Sequence, residues 1–131
     1  MPSDQSRSIN PLRLAKAREQ VAGEIKLNSL ARLEGLLLDD KGILKYRLAF
    51  DFDEAGICTV ESGIETELIL ECQRCFKPVT VGIHKKSLLG VIDGKTDFDA
   101  LADEYEPLQL DDDELTVEKL VEDELLLAIP L

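Results

Sequence analysis

Cys72-Gln73-Arg74-Cys75 is the one tight cysteine pair in the chain. Two thiols three residues apart can clasp one side of a tetrahedral Zn²⁺, but zinc asks for two more ligands. The only other soft ligands are Cys58 and His84. A set of Cys72, Cys75, Cys58 and His84 is arithmetically possible yet has no recognisable second knuckle. The same spacing suits a redox dithiol, although the thioredoxin setting, a CxxC that opens a helix after a strand, is absent. Three readings stay open: reduced thiols that shape a turn, a partial or inter-chain zinc site at Cys72 and Cys75, and a redox pair. Cys58 reads as a small buried residue. His84, beside Lys85 and Lys86, reads as a solvated histidine at a strand end.

Other constellations are weaker. Gly90-Val91-Ile92-Asp93-Gly94-Lys95-Thr96 imitates a phosphate-binding loop but has three residues between its glycines where four are required. There is no HExxH, no GxGxxG and no defensible Ser/His/Asp order. One histidine supplies general acid–base chemistry poorly, and 27 acids make any one carboxylate dyad meaningless. The expectation is a non-enzyme. Two basic groups could meet phosphate: Arg7, Arg13, Lys16 and Arg18 around the first helix, and Arg74 and Lys77 beside the cysteines, with Lys85 and Lys86 following. Each cation that neutralises a phosphate releases counterions and adds salt-dependent affinity.

These groups need elements to position them. Asn10-Pro11 reads as an N-cap and first helical residue, with Leu12, Ala15, Val21 and Ala22 on the apolar side and Gly23 as the stop. Glu24 to Leu38 leans towards strand, and Asp39 to Gly42 is a turn. Ile43 to Asp53 alternates, with Leu44, Tyr46, Leu48, Phe50 and Phe52 on one face. A short strand follows at Ile57 to Glu61, then a turn at Ser62-Gly63. Ile64, Thr66, Leu68 and Leu70 alternate again, as do Val79, Val81 and Ile83. This predicts a hairpin whose seven-residue tip is Cys72 to Pro78. Thr116 caps a closing helix with Val117, Leu120, Val121, Leu125 and Ala128 on its apolar stripe, and Glu118, Glu122 and Asp123 off it. The sum is α+β: an antiparallel sheet of five or six strands that could curl towards a barrel, with an N-terminal and a C-terminal helix. A mobile arm spans 1–9 and a single domain spans 10–131, with an acidic region at 93–124.

The chain of 131 residues is 44% apolar and 32% charged, enough for one core. Four Phe, two Tyr and no Trp argue against a protein that stacks many bases on rings. No apolar run approaches the roughly 20 residues that span a bilayer, and no secretory leader is read at the start. The expectation is a cytoplasmic protein with reduced thiols and no membrane partner. Net charge is −12, which excludes a uniformly basic nucleic-acid binder. The charge is segregated: residues 1–90 hold 13 acids and 13 bases, whereas residues 91–131 hold 14 acids against Lys95 and Lys119. A basic start and an acidic end suggest an interaction protein whose ends meet different partners.

Three segments together resemble one family. Leu70-Glu71-Cys72-Gln73-Arg74-Cys75-Phe76-Lys77-Pro78 looks like an LECQRC-x-KP signature, Tyr105-Glu106-Pro107 like a YEP element, and Val121 to Pro130 like a VEDEhhLAhP helix. Asn10-Pro11-Leu12-Arg13 is similar to an amino-terminal D/N-P-x-R element. The chain resembles the YceD-like family, the large ribosomal RNA subunit accumulation proteins of bacteria and plastids. The resemblance implies a non-enzymatic factor in ribosome biogenesis, and it points to Arg13, Cys72, Arg74, Cys75, Lys77, Glu122, Asp123 and Glu124. Relatives of this kind usually continue beyond the LAhP element, often with further His or Cys; the sequence here stops at Leu131, so an incomplete metal site is expected. The expected partner is precursor 23S ribosomal RNA or an early large-subunit particle, met by Arg7, Arg13, Lys16, Arg18, Arg74 and Lys77. The alternatives are an acidic adaptor that holds a basic ribosomal protein or a ribonuclease through Glu122, Asp123 and Glu124, and a CxxC zinc or redox module.

Overall fold

A computed structural model describes residues 8–92, 105–109 and 115–129. Helix α1 (Pro11–Lys16) is followed by strands β1 (Gln20–Lys26), β2 (Leu37–Asp39), β3 (Ile43–Phe52), β4 (Cys58–Glu71), β5 (Pro78–Ile92) and β6 (Glu106–Gln109), and by helix α2 (Val117–Ala128). The fold is mixed α+β. Its six strands form one sheet in the order β1-β3-β4-β5-β6, with β2 paired to the far end of β4. β1 and β6 stand at opposite edges, so the sheet is open and does not curl into a barrel. It is not wholly antiparallel either, because β6 runs parallel to β5.

Alternation decides the two faces. Leu44, Tyr46, Leu48 and Phe50 of β3, Val60, Ile64 and Leu68 of β4, and Ile83, Leu89 and Val91 of β5 are buried on the inner face. That face is covered by α1, by α2 through Val117, Leu120, Val121 and Leu125, and by the segment after β1. In that segment Leu27, Leu30 and Leu33 are all buried. Their spacing of three is the period of the 3-10 turns at Leu27–Ser29 and Ala31–Leu33, where a strand was expected.

Local signals yielded to pairing at three places. Gly23 does not stop a helix: α1 ends at Lys16, and Gly23 sits in β1 opposite Tyr46. Ser62-Gly63 does not turn the chain. β4 runs through it because Ser62 pairs with Leu48 on one side and Ser87 on the other, so two neighbouring strands satisfy its backbone. The hairpin tip is six residues, since Pro78 already pairs with Glu71. Both expected caps are present: the Asn10 side chain accepts from the Leu12 and Arg13 N–H groups, and Thr116 Oγ1 accepts from Lys119 N–H.

The Tyr105-Glu106-Pro107 element is a fastener. Tyr105 donates its hydroxyl to Asp53 Oδ2 at 2.6 Å, and Asp53 Oδ1 accepts the N–H groups of Ala55 and Ile57. Those bonds, the Tyr105 hydroxyl first, hold the Asp53 carboxyl below the usual carboxylate range. Of the expected mobile arm, Ser8 bridges to Thr116 and Ile9 N–H reaches Leu115 O at 2.8 Å, which ties residues 8 and 9 to the start of α2. Among the described residues, no helix is long and apolar enough to cross a membrane.

Candidate nucleic-acid interface

β4 and β5 form the longest hairpin in the sheet, and its far end projects the CxxC segment. Residues 72–77 close the tip: Cys72 N–H donates to Lys77 O at 2.9 Å and Phe76 N–H donates to Cys72 O at 2.8 Å. This tight turn puts Phe76 in the left-handed region at φ 59°. The Cys72 sulfur accepts the backbone N–H groups of Cys75 and Arg74 and a contact from the Cys75 thiol, which holds the Cys72 thiol below its ordinary range. Cys72 is half-buried, Cys75 exposed, and neither is in a disulfide.

Two sulfurs on one turn are at most one side of a tetrahedral metal site. No cluster of three or more His, Cys, Asp or Glu side chains suited to a metal exists among the described residues. Cys58 is buried at the opposite end of β4, where its thiol contacts Pro11 O at 3.6 Å. His84 is exposed on the outer face, opposite Glu65, six register steps from the tip. The four-ligand set that spacing alone allowed is not brought together.

A thiol held below its ordinary range predicts reactivity. Cys72 is expected to be alkylated with a pH midpoint below the roughly 8.5 of a free thiol, keeping its reactivity as pH falls towards neutrality. Peptide-resolved mass spectrometry after iodoacetamide pulses measures this; a midpoint at or above the free-thiol value contradicts the N–H contacts.

The cations fall into separate places. Arg74 and Lys77 are exposed on the tip, and neither makes an ion pair among the described residues. The six tip residues contain no acid. Arg13 and Lys16 are exposed on α1, and Arg18 follows it at φ 52°. Arg18 lies 3.7 Å from Asp51, a solvent-exposed pair of little energetic weight. Arg7 lies outside the described residues. α1 packs at the Cys58 end of β4, and fourteen residues of strand at about 3.3 Å each put the two basic groups roughly 40 Å apart. They are two separate basic groups, not one patch.

Lys85 and Lys86 part company as well, because consecutive strand residues face opposite ways. Lys85 points inward, 3.0 Å from Glu124, 3.7 Å from Glu106 and 2.7 Å from the Ser87 hydroxyl. Lys86 points outward, in register with Gly63 and Arg47. Spacing alone overlooked this outer row of Arg47 and Lys86, with Lys45 nearby; the alternation of β3 was the signal that could have found it. Glu24, Glu61, Glu65 and Glu67 share the outer face, so its charge is mixed. A hollow of about 840 Å³ lies open on this face and is lined by Lys45, Glu65, Glu67 and His84 among others.

The three acids expected to meet a partner are each engaged by groups of the chain itself, Glu122 and Glu124 buried and Asp123 at the surface. Glu122, expected off the apolar stripe, is buried; its Oε2 accepts the Arg32 backbone N–H at 2.9 Å. Asp123 pairs with the Arg32 guanidinium, and Glu124 is buried on Lys85. Burial and the neighbouring Glu122 raise the Glu118 carboxyl above its ordinary value. The remaining acids of the 93–124 region, at 93–104 and 110–114, lie outside the described residues, as does the rest of the glycine-flanked segment after Ile92.

Comparison with known proteins gives two findings. The sequence signature of the family described as large ribosomal RNA subunit accumulation protein YceD matches residues 60–131. The chain is 26% identical over 125 residues to the large ribosomal RNA subunit accumulation protein YceD of Haemophilus influenzae, an alignment that covers 95% of this chain and 72% of that protein. No solved structure matches the chain.

Proposed function

The chain belongs to the YceD family of large ribosomal RNA subunit accumulation proteins, and we propose that it acts by binding precursor large-subunit ribosomal RNA or an early particle through the β4–β5 tip. The observation that carries this reading is the pair of exposed cations, Arg74 and Lys77, without an ion pair among the described residues, on a projecting tip whose six residues hold no acid. A protein of net charge −12 approaches a polyanion only where its cations stand clear of its carboxylates. Among the described residues neither Arg74 nor Lys77 is paired with a carboxylate. Arg13 and Lys16 at the other end of the hairpin provide a second, separate phosphate contact.

The role is that of a binding factor in the cytoplasm, not a catalyst. The adaptor reading, with Glu122, Asp123 and Glu124 on a basic ribosomal protein or a ribonuclease, has less support, because Arg32 and Lys85 already occupy those carboxylates.

A second reading has one specific observation in its favour. The Cys72 sulfur is cradled by N–H groups of residues two and three further on, an arrangement that suits a thiolate on zinc. In that case Cys72 and Cys75 provide half of a site that a partner or further chain completes, and the metal stiffens the tip that meets RNA.

The test is sedimentation of cell extract. The protein is expected to travel with precursor large subunits and to leave those fractions after ribonuclease treatment. Association that survives ribonuclease without loss favours a protein partner; absence from all ribosomal fractions contradicts the proposal.

A further inference from the structure

Phe76 is held in a backbone conformation that an aromatic residue disfavours. Its φ of 59° is the left-handed region, where glycine is at ease and a side chain with a Cβ is strained. Strain of this kind is ordinarily offset by packing, yet Phe76 is 65% exposed. Phe50, by contrast, is 1% exposed in the core, and Phe52 is half-buried against it. Among the described phenylalanines, Phe76 alone is turned out to solvent. It stands between Arg74 and Lys77, the two exposed cations of the tip, which make no ion pair among the described residues.

We propose that Phe76 is a stacking platform for an unpaired RNA base, with Arg74 and Lys77 holding the phosphates beside it. The proposal rests on the reading of the tip as an RNA contact and adds what kind of RNA it takes. A phenyl ring offers a face but no hydrogen bond, so it stacks on any base with little regard to sequence. The base must be free of its own stack, which selects single-stranded loops, bulges and ends over duplex. A tip with one ring and two cations fits a single splayed nucleotide with its flanking phosphates. An apolar pocket on a protein would also take a phenyl ring, but two cations without an acid in the six residues match a polyanion better.

The test uses the full chain, a short single-stranded RNA and the same sequence as a duplex, with binding read by fluorescence anisotropy. The wild-type protein is expected to prefer the single strand. Phe76→Gly suits the backbone at this position, so its melting temperature should not fall. Its affinity for the single strand is expected to drop about tenfold or more, with duplex affinity and the salt dependence unchanged, because the ring releases no counterions. Phe76→Tyr should retain the single-strand affinity. If Phe76→Gly binds the single strand as tightly as wild type while Arg74→Glu with Lys77→Glu loses it, the stacking proposal falls and the phosphate contact stands. If the wild-type protein binds neither RNA, both fall.

Discussion

Lys85→Ala is expected to destabilise the protein by about 3 kcal/mol, whereas Lys86→Ala, one residue on, should change stability by less than about 0.5 kcal/mol. The contrast follows from the strand alternation. Lys85 faces inward with its side chain 21% exposed, 3.0 Å from the Glu124 carboxylate, which is 6% exposed. Removing the ammonium leaves Glu124 buried without its counter-ion, and an uncompensated buried charge is costly. Lys86 faces water. Replacing both partners, Lys85→Met with Glu124→Leu, should recover most of the loss, because two apolar groups avoid the desolvation that the ion pair has to overcome. Urea unfolding with an unchanged m value measures all three. Equal effects of Lys85→Ala and Lys86→Ala would contradict the inward placement of Lys85.

Arg74→Glu with Lys77→Glu is expected to lower affinity for a single-stranded large-subunit RNA fragment by about a hundredfold at physiological salt. Two charge-assisted phosphate contacts at about 1.5 kcal/mol each are lost, and tenfold corresponds to about 1.4 kcal/mol. Both side chains are exposed and unpaired among the described residues, so stability should be unaffected. Arg13→Glu with Lys16→Glu acts roughly 40 Å away along the hairpin, and sites so far apart should contribute independently. Filter binding on the four-variant combination checks this. Unchanged affinity in the tip variant would remove the tip from the interface.

How much of this was legible in the residues depends on what each feature required. β3, the second half of β4 and α2 were legible because one buried face imposes a period of two or 3.6 regardless of context. The passage of β4 through Ser62-Gly63 was not, since it depends on strands on both sides offering ladder partners. Nor were the 3-10 turns, although Leu27, Leu30 and Leu33 carry their period once it is sought. Glu122 and Glu124 looked like surface acids on α2; only the placement of Arg32 and Lys85 across from them makes their burial tolerable.

For the candidate site, spacing correctly put Cys72, Arg74, Cys75 and Lys77 on one hairpin tip. It could not reveal that Arg13, Lys16 and Arg18 lie at the other end of the same hairpin, because that distance is a property of topology. It also gave no hint that Phe76 is left-handed and exposed, which is a consequence of closing a six-residue turn.

The salt dependence of binding tests the central claim most directly: that two tip cations of an acidic protein neutralise RNA phosphates. Affinity for a single-stranded ribosomal RNA fragment is to be measured across a salt series for the wild-type protein and for Arg74→Glu with Lys77→Glu. Each phosphate contact on a single strand contributes about 0.7 to the slope of log affinity against log salt, so the variant's slope should be shallower by about 1.4. The same slope and the same affinity in both proteins would contradict the account.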